Sequence, residues 1–186
     1  MTTTTEISPS ITMRDLLVAY PGAQRALFAG YHIGGCRSCG FQPTETLADV
    51  CRRNDDLPVD EVIRHIVESH DQEAALQVEP GEAAEWLKGD NPPLLLDSRT
   101  REEHEAVKLP GSNLMTQDTL QQVFASHPPD QPILIYDHSG AGQALDLVAY
   151  LLGHGFTGAK ALAGGIDAWS LQVDPSLPRY RIEIEG

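Results

Sequence analysis

Apolar positions recur at helical spacing from about residue 11 to residue 70. Thr12, with Asp15 three residues on, reads as a helix cap ahead of Leu16, Leu17 and Tyr20, which share one face. Pro21-Gly22 breaks that helix, and Ala23 to Ala29 predicts a second short one with Gly30 as its stop. A Gly-rich turn follows, Gly34-Gly35-Cys36-Arg37-Ser38-Cys39-Gly40. Thr46 with Asp49 is another cap, opening a helix that turns Leu47, Val50 and Cys51 inward. Val59, Val62, Ile63, Ile66 and Val67 form the stripe of a fourth helix, with Pro58 in its first turn. The pattern predicts four short helices packed as one small bundle. Residues 1–10, rich in Thr and Ser, are expected to be a disordered tail.

After the acidic stretch at residues 71–73, read as a linker, the pattern changes. Gln77-Val78 predicts an edge strand. Glu79-Pro80-Gly81-Glu82 opens a helix whose Trp86 and Leu87 should pack on a sheet. Leu94-Leu95-Leu96 and Ile133-Leu134-Ile135-Tyr136 are short apolar runs, the second reading as a fully buried strand. Between them, Glu102, Glu103, His104 and Glu105 read as a solvated helix face, and Thr116 to Ser126 as a further helix closed by the turn Pro128-Pro129-Asp130. Ala144, Leu147, Val148, Leu151 and Leu152 predict a helix ending at Gly153 or Gly155. Strands alternating with helices imply an α/β domain with a parallel sheet covered on both faces. The expected organisation is a tail (1–10), a small all-α domain (11–72) and an α/β domain (73–186).

The turn between the buried strand and its helix, Asp137-His138-Ser139-Gly140-Ala141-Gly142, is the centre of the α/β domain. A strand–turn–helix places it at the carboxyl edge of the sheet, where successive N–H groups and the helix N-terminus make a nest for an anion.

Net charge is −14, and both halves of the chain are acidic. That balance argues against nucleic acid and anionic membranes as partners, and fits a basic protein partner or solubility alone. No apolar run approaches a membrane span, and Met1-Thr2-Thr3-Thr4-Thr5 has neither a basic region nor an apolar core, so a cytoplasmic location is expected. The three cysteines, Cys36, Cys39 and Cys51, all lie in the first third, a pattern of redox or metal chemistry more than of a disulfide framework.

Four stretches of the second domain resemble the rhodanese family. Leu94 to Arg99 is similar to its strand ending in Asp-x-Arg. Lys108-Leu109-Pro110-Gly111-Ser112 is similar to its His-Ile-Pro-Gly-Ala turn, with Lys108 at the His position. Residues 133–143 match its active-site strand and loop, and Ala163-Gly164-Gly165-Ile166-Asp167-Ala168-Trp169 its closing segment. The resemblance implies a rhodanese-like parallel sheet flanked by helices, with Asp97 and Arg99 as structural charges that hold loops. It also implies that Asp137 stands at the position of the family's nucleophilic Cys, and Gly142 where active members often carry Arg. Sulfur transfer needs a thiolate that takes sulfur as a persulfide, which a carboxylate cannot do. The loop, Asp137 to Gly142, therefore reads as a degenerate site. A new chemistry with Asp137 as nucleophile or base is the rival reading, and the neighbouring His138 adds little to it. Enzymatic activity stays open.

Residues 11–70 resemble the small helical redox-disulfide domain associated with hybrid-cluster proteins. The matching features are the Ala19-Tyr20-Pro21-Gly22 break, the Gly-rich run, the Cys36-x-x-Cys39 pair and the following Glu45-Thr46-Leu47. Cys36 and Cys39, with Arg37 between them, are the candidate thiols for a reversible disulfide or a persulfide. The alternatives are a purely structural pair and a metal site, zinc or an iron–sulfur cluster, drawing on His32, Cys36, Cys39 and Cys51. Cys51 shares a face with Leu47, the setting of a small buried hydrophobe. No resident cofactor is expected on the redox reading. The chain is then expected to pair with an unidentified protein partner that carries sulfur or is itself redox-active. Its α/β domain would serve for docking, or the whole chain would be a sulfurtransferase or sulfur carrier working through Cys36 and Cys39.

Overall fold

The computed structural model describes residues 7–34, 40–140 and 142–179. The chain divides into two compact units, residues 1–75 and 76–186.

The first unit contains α1 (Met13–Ala19), α2 (Ala23–Tyr31), α3 (Leu47–Arg53) and α4 (Val59–Ala75). Both predicted caps are made: the Thr12 hydroxyl accepts from the Asp15 N–H and the Thr46 hydroxyl from the Asp49 N–H. The two cap residues also pair with each other as an antiparallel bridge, which ties the starts of α1 and α3 together. The apolar stripes of all four helices meet in one core holding Met13, Leu16, Leu27, Leu47, Val50, Val62 and Ile66. Three expectations are corrected. Residues 7–10 are not a tail, because Ile7 is buried in this core and the Pro9 carbonyl accepts from the Ala48 N–H. Residues 71–73 are not a linker but the last turns of α4, where Glu73 pairs with Arg25 at 2.8 Å. Gly30 is not a helix stop. It lies inside α2, where a side chain would run into His65, and the helix ends at His32 in left-handed conformation.

The second unit runs β1 (Gln77–Val78), α5 (Pro80–Lys88), β2 (Leu94–Asp97), α6 (Arg101–Ala106), β3 (Asn113–Leu114), α7 (Gln117–Ser126), β4 (Ile133–Tyr136), α8 (Gln143–Gly153), β5 (Ala159–Leu162) and α9 (Gly165–Gln172). The strands form one parallel sheet in the order β1-β5-β4-β2-β3. Central β4 is buried at every position, and its alternation splits the core. Leu134 and Tyr136 point to the face covered by α5 and α9, with Leu95, Ala83, Ile166 and Trp169. Ile133 and Ile135 point to the face covered by α7 and α8, with Leu96, Val123, Val148 and Leu151. The α/β architecture expected from the pattern, a parallel sheet flanked by helices as the resemblance implied, is therefore present, with a helical N-terminal unit. Neither β3 nor β5 was legible in the pattern, being two residues long or carrying Lys160 in an Ala-rich run. Among the described residues no helix is long and apolar enough to cross a membrane.

Candidate functional site

The site is built where β2 and β4 end side by side, Asp97 in register with Tyr136. The chain leaves β4 into the loop that starts with Asp137, a residue that is 3% exposed. Its carboxylate turns back under the loop. One oxygen, Oδ1, accepts the Gly140 N–H, and Oδ2 accepts the Gly142 N–H at 3.3 Å and the Ala144 N–H at 3.2 Å. Ala144 lies in the first turn of α8, so the carboxylate also sits at the positive end of that helix. These are the donors that would otherwise face an incoming anion. Both carboxylate oxygens thus accept backbone N–H groups of the loop and of the first turn of α8.

The loop is clamped from the other side by the first turn of α9. The Asp137 carbonyl accepts the Ile166 N–H at 2.9 Å, and the His138 carbonyl accepts the Asp167 N–H at 3.0 Å. This approach explains Gly164-Gly165. At Gly165 (φ 59°) a Cβ would lie 2.5 Å from the Asp137 carbonyl oxygen, and at Gly140 one would lie 2.8 Å from the Gly164 nitrogen. Ser139 is exposed on the loop, and Ala141 lies outside the described residues.

Beneath the loop lies a buried polar network. The Arg99 guanidinium, its side chain 1% exposed, donates to Asp97 Oδ1 at 2.9 Å and Oδ2 at 2.7 Å, and to the Val107 carbonyl at 2.7 Å. Asp97 Oδ2 also accepts from the Tyr136 hydroxyl and from His104 Nδ1, each at 2.8 Å. The Tyr136 oxygen in turn meets the Leu109 N–H and the Ser112 hydroxyl. The Asp–Arg pair thus holds the 107–112 turn onto the ends of two strands. Burial works against ionising Asp97, but the donors from Arg99, His104 and Tyr136 outweigh it and hold the carboxyl below its usual range. Burial pushes the Tyr136 phenol up to about 12, the Asp97 charge adding to the shift and the Ser112 hydroxyl opposing it. With Asp97 ionised and able only to accept, His104 Nδ1 is the donor, which leaves Nε2 toward the Lys108 ammonium at 3.4 Å.

Sequence reasoning placed Asp97, Arg99 and the Asp137 loop here, but took His104 for part of a solvated face. His104 is 9% exposed and points inward, while Glu102 and Glu105 are exposed as expected. The only local signal for His104 is its position after the Thr100–Glu103 capping box, which starts α6 so that its fourth residue faces the sheet. Tyr136 was read as an apolar strand residue. A Tyr ending a fully buried strand needs a hydroxyl partner, and that was the available clue.

Cys36 and Cys39 lie outside the described residues. Of the other two metal candidates, His32 is exposed at the end of α2, whereas Cys51 is 2% exposed in the helical core with its thiol pushed up by burial. Among the described residues no cluster of three or more His, Cys, Asp or Glu could hold a metal ion.

The Rhodanese-like domain family matches residues 79–172, just over half of the chain, and the chain belongs to that family. One relative is the probable adenylyltransferase/sulfurtransferase MoeZ of Mycobacterium tuberculosis, 29% identical over 105 residues, covering 55% of this chain and 26% of that protein. Another is the adenylyltransferase and sulfurtransferase uba4 of Ogataea parapolymorpha, 24% identical over 129 residues, covering 64% and 33%. The chain thus spans 26% and 33% of the length of these relatives. Among solved structures, a rhodanese-like domain protein from Staphylococcus aureus is similar at 24% identity and a TM-score of 0.43, covering 56% of this chain and 98% of that one. The human single-domain sulfurtransferase TSTD1 is similar at 21% identity and a TM-score of 0.44, covering 52% and 96%. The matched region holds the whole loop and the buried network. All three cysteines precede it.

Proposed function

We propose that this is a sulfur- or redox-related protein whose rhodanese-like unit is catalytically silent and binds a protein partner, while Cys36 and Cys39 supply a thiol-redox or persulfide site. The observation that carries the silent reading is the filled nest: the Asp137 carboxylate takes the N–H groups of Gly140, Gly142 and Ala144. Asp137 stands where the family's nucleophilic Cys is expected, and Gly142 where a cation is expected. Residues 76–186 contain no cysteine that could replace it. Sulfane sulfur needs a thiolate to carry it, so any sulfur handled by this chain passes through the first unit. Relatives named as sulfurtransferases support a sulfur-related setting. The similarity of the first unit to the redox-disulfide domain of hybrid-cluster proteins supports thiol chemistry there. A reducing, cytoplasmic setting suits a dithiol that cycles.

A thiosulfate:cyanide sulfurtransferase assay tests this reading. The expected result is no turnover from the Cys36→Ser/Cys39→Ser chain, and any turnover of the unaltered chain lost with those two thiols. Full-rate transfer by the double variant would overturn it. Intact mass spectrometry of the purified protein, native and denatured, separates dithiol, disulfide, a gain of one sulfur atom, and bound zinc or iron.

A further inference from the structure

Beside the loop, one stripe of α8 is exposed at Gln143, Asp146 and Tyr150 and half-buried at Leu147 among the described residues. Gln143, Asp146, Leu147 and Tyr150 lie at i, i+3, i+4 and i+7 of that helix, on one face. With Ser98 after β2 and Met115 after β3 they line an open cleft of about 370 Å³. The cleft begins at the first residue of α8, where the loop ends. Farther along, the Tyr150 ring packs at a tilt against His154, with ring centroids 4.2 Å apart, and adjoins Phe124, which rests on Phe156. Tyr150 is 44% and Phe124 38% exposed, so the aromatic end opens to solvent.

The lining has a definite chemical character. Among the described residues it holds one carboxylate, Asp146, and no cation. Asp146 makes no ion pair with any described residue. An unpaired carboxylate one turn from an exposed Tyr ring, above the apolar Met115 and Leu147, is the setting that receives an arginine or lysine side chain. The carboxylate pairs with the charged head, the ring takes it as a cation–π partner, and the apolar floor covers the aliphatic stem. The net charge of −14 on the chain favours a basic partner over phosphorylated or lipid ligands, in keeping with the carboxylate in the cleft. From Gln143 to His154 the helix rises about 16 Å, which an extended segment of about five residues spans.

We propose that the α8 cleft is a docking groove for an extended, Arg- or Lys-bearing segment of a protein partner, its cation held by Asp146 and Tyr150 and a neighbouring apolar side chain resting on Met115 and Leu147. The proposal rests on the docking role assigned above to the rhodanese-like unit and names the chemistry of what docks.

The test uses the full ¹⁵N-labelled chain and two terminally blocked pentapeptides, Gly-Arg-Leu-Arg-Gly and Gly-Glu-Leu-Glu-Gly, followed by amide chemical shifts. The expected result is a saturable response to the arginine peptide centred on residues 143–150, and none to the glutamate peptide. Asp146→Asn and Tyr150→Ala change exposed side chains and leave the fold intact. Each should weaken binding about threefold, the scale of an exposed ion pair. Equal response to both peptides, shifts centred elsewhere, or undiminished binding in Asp146→Asn would overturn the proposal. Shifts at the same residues that grow with protein concentration, without peptide, would assign the groove to a second copy of the chain and overturn it too. The sulfur-transfer assay of the Cys36→Ser/Cys39→Ser chain reports separately on the silent-domain reading. Turnover there with normal peptide binding would remove that reading and leave the groove.

Discussion

Replacing Asp137 by Ala empties the nest without adding a donor or acceptor. The lost interactions are three N–H groups on the carboxylate of a residue that is 3% exposed. Hydrogen bonds to a charged group contribute about 1.5–3 kcal/mol each when simply removed. The loop borders solvent at Ser139, so water can reach part of the vacated space and serve some of the donors. With one or two of the three left unserved, the net cost is about 2–5 kcal/mol. For a unit of this size that lowers the unfolding midpoint by roughly 8–20 °C, read by calorimetry. The vacated donors also define an anion site. Sulfate should therefore stabilise Asp137→Ala by more than the general salt effect that it exerts on the unaltered chain. The recovery should reach about 2.7 kcal/mol at a hundredfold excess over its dissociation constant. Two results would refute the reasoning: a variant within about 0.5 kcal/mol of the parent, or equal stabilisation of both proteins by sulfate, since neutral replacements normally stay inside that range.

Four further outcomes are expected. Asp97→Ala leaves the buried Arg99 guanidinium without its counter-ion and should cost about 3–5 kcal/mol in denaturant unfolding. Because Asp97 is held below its usual range in the folded chain, it contributes stability above about pH 4. That contribution is lost as pH falls through the lower folded value, so Asp97→Asn should flatten the acid limb of the stability profile. The phenol of Tyr136 is shifted the other way, to about 12. Its contribution is complete below about pH 10 and disappears as pH rises through the folded value, so an alkaline absorbance titration should show a late step that is missing in Tyr136→Phe. Gly165→Ala combines a left-handed backbone with a Cβ 2.5 Å from the Asp137 carbonyl, and should destabilise by at least about 1–3 kcal/mol in the same unfolding measurement.

Local periodicity and capping were enough to read much of this protein from its sequence. Thr12 and Thr46 cap the helices expected of them, because a cap involves residues only three apart. The all-apolar Ile133 to Tyr136 reads as a central strand because only a sheet covered on both faces buries every position. Its loop then falls at the carboxyl edge. Tertiary structure decided what those residues do there. Asp97 and Tyr136 are far apart in the chain yet share a hydrogen bond, and Gly165 is required by a carbonyl at Asp137 that no nearby residue announces. His104 lies among glutamates, and only the docking of α6 on the sheet turns it from solvent to Asp97. Ile7 looked like part of a polar tail until the helical core gave it somewhere to be buried. The inward turn of the Asp137 carboxylate was decided the same way. Sequence places an acidic side chain beside a Gly-rich turn, but three N–H groups converge on it only once β4, α8 and α9 have fixed the path of the loop. Burial and hydrogen-bond partners are properties of groups brought together across the chain, whereas helix and strand periods repeat over a few residues, which is why the second could be read directly and the first could not.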